Sequence, residues 1–281
     1  MPRCIGLLVG DEEAFARRLI AHLERESDIV LELATIGGTP ERLVSRYDVL
    51  LDRMSHRIPH YRAYLKAAVL AGARVYNDPL RTSSNDEFLA LSIAARLGVP
   101  TARAVLLPQK HYAPDIAPER ELKNLEYPLR WDRITGYVGL PAVLRSAGRS
   151  VLVHDMAELF AAYDANGNVM FLQQHLEGER VRCLCVGGER MIPLGHHEPQ
   201  RELESHTLEV SRALGYALNA VEMVVVDGRA TLVAANQPFP DLRPEVIGEG
   251  PLEMVIEALG NLLVRAAHGE ELAFDPCSAT T

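Results

Sequence analysis

In the first third of the chain, hydrophobic and polar positions alternate between strand and helix patterns. Strand patterns cover 4–9, 29–36, 48–51 and 74–77, and helical patterns cover the segment around Phe15 and residues 61–71. Strands separated by helices are typical of a parallel sheet, because each parallel connection needs a crossover. The pattern therefore predicts an N-terminal α/β domain over residues 1–80.

The remaining two thirds of the chain contain strand pairs joined by short turns, together with separate helices. Predicted strands cover 104–107, 141–144, 151–154, 169–173, 181–186 and 191–194, and predicted helices cover 86–97, 155–163, 203–214 and 252–267. Two further strands, 220–226 and 231–235, flank Asp227-Gly228, a dipeptide typical of a hairpin turn. This pattern predicts mixed helices and strands over residues 81–281, with residues 108–130 as a surface loop.

Composition narrows the classes of partner and location. The chain has 281 residues, 48% of them hydrophobic, and a net charge of -9 without a basic patch, which argues against binding to nucleic acid. Its apolar runs are shorter than the ~18 residues that span a bilayer, and its first residues do not form a signal-peptide core. We therefore expect a cytoplasmic protein with no membrane partner, in which all four cysteines are reduced thiols.

A dense polar group follows the strand predicted at 48–51. Its members are Asp52, Arg53, Ser55, His56 and Arg62. Ligands of parallel sheets gather beyond the carboxyl ends of the strands, so this group is a candidate substrate site for a small acidic or amino-acid-like molecule. Solvated loop charges are the alternative, and the sequence leaves the two open.

Three other polar or aromatic features favour plain structural roles. His196-His197-Glu198 is expected in a surface loop, because consecutive strand residues point to opposite faces. Cys183 and Cys185 alternate on one strand and are expected to be buried. Trp131 is expected to pack in a core, whereas the apolar face of the last helix is either core or an oligomer seam.

Several short motifs occur in an order that resembles the ATP-grasp superfamily, in particular its RimK-like and glutathione-synthetase-like branch. The motifs are Asp52-Arg53, Asn77-Asp78-Pro79, Leu97-Gly98-Val99-Pro100, Gly139-Leu140-Pro141-Ala142, Gln173-Gln174, Val181-Arg182 and Asn236 with Pro240-Asp241. The resemblance implies two α+β lobes, a central one over 81–172 and a C-terminal one over 173–281, that bind ATP with Mg²⁺. It also implies an acyl phosphate, formed from a carboxylate and then attacked by an amine.

The resemblance also implies roles for individual residues. Arg182 and Arg145 would be the catalytic cations. Nucleotide-binding residues would be Arg145, Arg149, Gln173, Gln174 and Arg182. Glu222 on the first strand of the hairpin and Asn236 on the second would bind the metal.

The chain departs from this pattern at four positions. Ala234 stands where a second metal carboxylate is expected, and Glu87 stands where a phosphate-binding lysine is expected. Arg145 replaces another lysine, in a chain whose 29 basic residues include only three lysines. Residues 146–150 contain one glycine, which favours a tight hairpin over a glycine-rich phosphate loop. Together these departures predict weakened or lost binding of Mg-ATP.

Three classes of function follow from the sequence. The first is a pseudo-enzyme that acts as a scaffold, as the partner of an active ligase, or as a small-molecule sensor. The second is an active carboxylate-amine ligase that uses Arg145, Arg149 and Arg182 as its phosphate cations. The third is a nucleotide-binding module without ligation. The substrate and the oligomeric state stay open.

Overall fold

The computed structural model describes residues 2–26, 28–112, 114–146, 149–165, 168–272 and 274. The strands are β1 (Arg3–Leu8), β2 (Ile29–Leu33), β3 (Val49–Asp52), β4 (Arg74–Tyr76), β5 (Ala104–Leu107), β6 (Ala142–Ser146), β7 (Arg149–Val153), β8 (Met170–Gln174), β9 (Glu179–Val186), β10 (Arg190–Pro193), β11 (Leu218–Val226) and β12 (Arg229–Gln237). The helices are α1 (Glu13–Leu23), α2 (Pro59–Leu70), α3 (Pro79–Ser84), α4 (Glu87–Arg96), α5 (Pro118–Glu121), α6 (Trp131–Val138), α7 (Met156–Asp164), α8 (Gln200–Leu214), α9 (Pro244–Ile247) and α10 (Glu249–Ala267).

The chain forms two compact units. One comprises Met1–Pro100 together with Glu179–Thr281, and the other comprises Thr101–Gly178. The first unit holds a parallel sheet in the order β2-β1-β3-β4 and an antiparallel sheet in the order β10-β9-β11-β12. The predicted combination of α/β and α+β structure is confirmed. The predicted division at residues 80 and 172 stays a prediction.

An apolar core joins the two sheets of the first unit. It contains residues from β1, β9, β11, α1 and α10. The predicted apolar face of α10 lies wholly in this core, so it is not an exposed oligomer seam. Its members are Leu252, Val255, Ile256, Leu259 and Leu263. The buried side chain of Asn77, which follows β4, also forms hydrogen bonds to Leu218 and Pro238. Its Nδ2 donates to the carbonyls of Leu218 and Pro238, and its Oδ1 accepts from the N–H of Leu218.

The second unit is an antiparallel sheet in the order β5-β8-β6-β7 with its own core. Trp131 makes edge contacts with Phe160 and Tyr163, which confirms that it packs. The β6–β7 register pairs Ser146 with Arg149 and so leaves only residues 147 and 148 for the connection, which lie outside the described residues. The described residues of the loop predicted at 108–130 are exposed or half-buried, and α5 lies within it.

Local side-chain chemistry explains several element ends. Asp86 and Asp155 each precede a helix and accept an N–H from its first turn, so α4 and α7 begin one residue later than predicted. Asp227 and Gly228 have φ of 50° and 74°, the left-handed pair that a two-residue hairpin turn requires. Among the helices that the structure describes, none is long and apolar enough to cross a membrane.

The thiols of Cys183 and Cys185 are buried on β9, as predicted. Both are 0% exposed, and burial raises the pKa of each thiol to about 11. Cys4 is a free, half-buried thiol, and Cys277 lies outside the described residues. A thiol reagent at pH 8 attacks the thiolate, which a raised pKa makes scarce.

We therefore expect Cys183 and Cys185 to resist labelling in the folded protein and to react only after unfolding in urea. Counting modified cysteines by mass spectrometry measures this. The Cys183→Ser/Cys185→Ser variant is the control, because it should show the same native labelling as the wild type. Rapid labelling of either thiol in the folded wild type would contradict the buried assignment.

Candidate functional site

Glu222 lies on β11 with its strand neighbours in a shifted register. Glu222 pairs with Ala234 of β12, whereas Ala220 pairs with Gln237, so the ladder contains an irregularity between the two pairs. Such a shift moves later residues to the opposite face of the sheet. As a result Gln237, rather than Asn236, reaches the side chain of Glu222.

Arg182, Gln237 and Glu222 form one polar cluster. The Nε2 of Gln237 donates to Oε1 of Glu222 at 3.0 Å, and Nη2 of Arg182 donates to Oε1 of Gln237 at 3.1 Å. The Nε of Arg182 lies 3.9 Å from Oε1 of Glu222 and has no hydrogen-bond partner among the described residues. A cavity of about 240 Å³ borders this cluster. The guanidinium thus lies beside the only carboxylate of the cluster.

Asn236 belongs to a separate, partly buried hydrogen-bond network. Its Oδ1 accepts from the hydroxyl of Tyr216 at 2.6 Å, and its Nδ2 donates to the carbonyl of Asn85 at 3.3 Å. The Tyr216 hydroxyl also accepts from Nδ2 of Asn85 at 3.0 Å. Burial raises the pKa of Tyr216 to about 12, so the phenol stays protonated and donates. The amide oxygen of Asn236 is therefore already bonded within the protein.

Glu87 bonds the backbone of β12, the edge strand of the second sheet of the first unit. Its carboxylate accepts from the backbone N–H of Ala235 at 2.7 Å and of Asn236 at 3.1 Å. Strand β12 is the edge of its sheet, so these N–H groups have no neighbouring strand to bond. The anion at this position therefore has a structural role, which the sequence could not reveal.

The donors around Glu222 do not fit a magnesium ion. Mg²⁺ takes near-octahedral oxygen ligands, usually with one or two carboxylates. Glu222 supplies one carboxylate, which already accepts an amide N–H and lies beside a guanidinium, and Ala234 supplies none. In the parts of the chain that the structure describes, no group of three His, Cys, Asp or Glu side chains could hold a metal ion.

The other predicted nucleotide-binding residues lie in the second unit. Arg145 is on β6, where its Nε donates to Oγ of Ser150 at 3.4 Å, and Arg149 is exposed at the start of β7. Gln173 is 2% exposed on β8, and Oε1 of Gln174 accepts the N–H of Arg103 at 3.4 Å. Their part in nucleotide binding stays a prediction.

The polar group predicted after β3 divides into two parts. Asp52 and Ser55 are each 1% exposed, and the carboxylate of Asp52 accepts the N–H of Met54 and Ser55 and the hydroxyl of Ser55. These two residues therefore stabilise their own turn. Arg62 lies half-buried on α2.

Arg53 and His56, by contrast, line a cavity of about 200 Å³ beyond the carboxyl end of the parallel sheet. The side chain of Arg53 is 2% exposed, and it donates to both carboxylate oxygens of Glu12 and to the carbonyl of Pro240. Its Nη1 is buried and has no hydrogen-bond partner among the described residues. His56 stacks on Phe239 at 4.3 Å, and burial lowers the pKa of its imidazole. The cavity is therefore lined by polar side chains that contacts within the protein hold in place.

The charges around this cavity have both signs. Asp241 and Arg243 pair with each other at 2.5 Å, and the Arg243 guanidinium lowers the pKa of Asp241. Asp11 and Arg57 also line the cavity, and the structure gives neither of them an ion pair within the described residues. Asp11 and Arg57 are thus an exposed anion and an exposed cation in the cavity lining.

Sequence reasoning missed several residues of both sites. They are Glu12, Arg57, Asn85, Tyr216, Gln237, Phe239 and Arg243. Glu12 precedes helix α1 along the chain, and this local position does not reveal its distant partners Arg53 and Leu242. Asp241 alone was signalled, by its place in the motif that follows Asn236. The remaining contacts depend on strand register and on long-range packing.

Comparison with known proteins agrees with the fold. No family model matches the sequence, and no curated protein matches it. Among solved structures, D-alanine–D-alanine ligase from Bacillus anthracis complexed with ATP matches with a TM-score of 0.61 and 14% identity, over 96% of this chain and 100% of that chain. A RimK domain ATP-grasp protein from Sphaerobacter thermophilus matches with a TM-score of 0.60 and 18% identity, over 91% of this chain and 99% of that chain.

A third match is the ATP-grasp ligase PsnB complexed with minimal precursor, Mg and ADP. Its TM-score is 0.61 at 14% identity, over 94% of this chain and 98% of that chain. The three matches extend over nearly the whole of each chain. The protein therefore has an ATP-grasp fold, as the sequence motifs predicted.

Proposed function

We propose that this chain is an ATP-grasp-fold pseudo-enzyme that senses a small zwitterionic carboxylate and has weakened or lost Mg-ATP binding and ligase activity. One observation carries the proposal. At the predicted metal position, the carboxylate of Glu222 is held by Gln237 and lies beside the guanidinium of Arg182. Its nearest strand neighbour, Ala234, has no oxygen ligand to add.

A second observation supports weak nucleotide binding: side chains at the predicted metal and phosphate positions already form hydrogen bonds within the protein. Asn236 is bonded to Tyr216 and Asn85, and Glu87 is bonded to β12. A metal ion that binds Oε1 of Glu222 would compete with the N–H of Gln237, and hydrogen bonds to charged groups contribute about 1.5 to 3 kcal/mol each. Binding of Mg-ATP is therefore opposed by contacts that the folded protein already has.

The cavity at Arg53 supports the ligand class. A buried guanidinium N–H without an acceptor is costly unless a ligand or water bonds it, and a carboxylate suits it best. Asp11 then offers an anion for an ammonium group, and Arg57 offers a second cation. Pockets for drug-sized ligands measure roughly 300 to 1,000 Å³, so a cavity of about 200 Å³ suits a smaller molecule such as a free amino acid.

We expect millimolar amino acids, including L-alanine and D-alanine, to raise the melting temperature of the protein. We expect Mg-ATP to leave the melting temperature unchanged. A ligand at ~100 times its dissociation constant adds about 2.7 kcal/mol of stability, so binding produces a clear thermal shift. Differential scanning calorimetry of the whole chain measures it. The Arg57→Ala variant should lose the amino-acid response, whereas Arg62→Ala, a matched change outside the cavity lining, should keep it.

Three outcomes would contradict the proposal. A rise of several degrees with Mg-ATP, followed by ADP release with an amino acid, would support the active ligase that uses Arg145, Arg149 and Arg182. A rise with Mg-ATP and no ADP release would support a nucleotide-binding module. An unchanged melting temperature with every amino acid would remove the sensor role.

A further inference from the structure

A groove of about 700 Å³ lies between helix α1 and the edge strand β2 of the parallel sheet. Its lining is mostly apolar and includes Leu7, Ile20, Ala21, Leu33 and Tyr61. It shares only Gly10 with the smaller cavity at Arg53, so it is a different feature of the surface. Grooves of this kind on a folded surface are typical of sites where another chain packs.

Strand β2 presents an unprotected edge beside this groove. It pairs only with β1, so its outer backbone groups face away from the sheet. The strand contains neither lysine nor proline, the residues that commonly protect an edge, and its one charge, Glu32, is paired with Arg46. Val30 is 44% exposed and Leu33 is 56% exposed. The edge can therefore accept another strand.

Helix α1 has two different faces. One face packs in the core through Phe15 and Leu19, and Arg18 pairs with Glu249 and Glu253 of α10. The other face carries Arg17, Ile20, Ala21 and Glu24 at helical spacing, and it borders the groove. Arg17, Ala21 and Glu24 are exposed, and in the described part of the chain neither charge has an ion pair.

We propose that the occupant of this groove is a second copy of the chain, which packs about a two-fold axis to form a dimer. The charge order along α1 supports this partner. When two such helices lie antiparallel about a point between Ile20 and Ala21, Arg17 of each copy faces Glu24 of the other. The apolar residues Ile20 and Ala21 then meet at the axis, and both charge pairs are opposite in sign.

The same axis brings the two β2 strands together. Antiparallel pairing of β2 with its copy joins two four-stranded sheets into one continuous sheet. Leu31 then lies opposite Leu31 of the second copy, and Ile29 lies opposite Leu33. One symmetry operation thus bonds the free strand edges, covers the apolar groove and pairs the free charges of α1.

Sedimentation velocity of the full chain over a concentration series tests this dimer. We expect the wild type to dimerise, and the single variants Arg17→Glu and Glu24→Arg each to weaken the dimer by about tenfold or more, because each makes two like-charge contacts. The double variant R17E/E24R exchanges the charges and should restore the dimer to within about threefold. Arg201→Glu, an exposed charge reversal on α8, is the matched control and should dimerise like the wild type.

The result that overturns the proposal is a monomer at all concentrations up to ~100 µM, because a dimer with a dissociation constant of about 1 µM would be populated well below that concentration. If neither single variant weakens the dimer, or if the double variant does not restore it, then this surface is not the dimer interface. Circular dichroism checks that each variant is folded. Ala21→Glu, which places two anions at the axis, gives an independent second test and should also yield a monomer.

Discussion

Replacing Glu12 with alanine is expected to lower the free energy of unfolding by about 3 to 5 kcal/mol, the largest effect among our predictions. The side chain of Arg53 is 2% exposed and that of Glu12 is 11% exposed, so the remaining guanidinium would be buried without its counter-ion. The N–H of Leu242, which donates to Oε1 of Glu12 at 2.9 Å, would lose its acceptor as well. Urea denaturation followed by circular dichroism measures the change.

Two companion variants separate the lost ion pair from a general effect of substitution. Glu13→Ala removes the neighbouring exposed carboxylate and should change stability by less than about 0.5 kcal/mol. The double variant Glu12→Leu/Arg53→Met removes both charges and should be more stable than Glu12→Ala, because no charge is then buried alone. A loss below about 1 kcal/mol for Glu12→Ala would show that this pair does not hold the site together.

Replacing Glu87 with lysine is expected to lower the free energy of unfolding by about 2 to 4 kcal/mol. The carboxylate bonds the N–H groups of Ala235 and Asn236, and a lysine ammonium can accept neither. Adding Ala234→Asp to this variant should still give no binding of Mg-ATP, because the edge of β12 is disrupted. Urea denaturation and isothermal titration calorimetry with Mg-ATP measure the two results.

Glu87→Gln is the matched control for this prediction, because its amide keeps one acceptor oxygen. We expect it to lose roughly half as much stability as Glu87→Lys. Glu204→Lys, an exposed charge reversal on α8, should be neutral. If Glu87→Lys were as stable as the wild type, or bound Mg-ATP, the residue would be a lost phosphate contact and not a support of the strand edge.

The predicted elements were largely correct, because they rest on local patterns. Asp227-Gly228 set the hairpin turn, and Asp86 and Asp155 set helix starts through hydrogen bonds to residues three positions later. The last helix was recognised from its apolar face, yet its place in the core depended on packing against the rest of the first unit. Some errors fell at the element ends, as in β2, which was expected to reach residue 36 and ends at Leu33. Four helices of four to eight residues, α3, α5, α6 and α9, were not predicted.

The candidate site was predictable only in part. The position of Arg53 and His56 after a parallel strand pointed to the cavity, because strand ends of such sheets meet at one edge. The same rule included Asp52 and Ser55, whose side chains turn inwards to bond each other. Short polar side chains that follow a strand bond the nearby backbone as readily as a ligand, and sequence does not distinguish the two.

The sequence by itself determined the fold type and the departures at Ala234, Glu87 and Arg145, because periodicity, turn residues and motif order are local properties of the chain. The tertiary structure decided what those positions do. A register irregularity in β11–β12 brings Gln237 to Glu222 and leaves Asn236 with Tyr216. Folding also joins Glu12 to Leu242, which lies 230 residues away along the chain. Contacts of this range depend on how sheets and helices pack, and no local pattern encodes them.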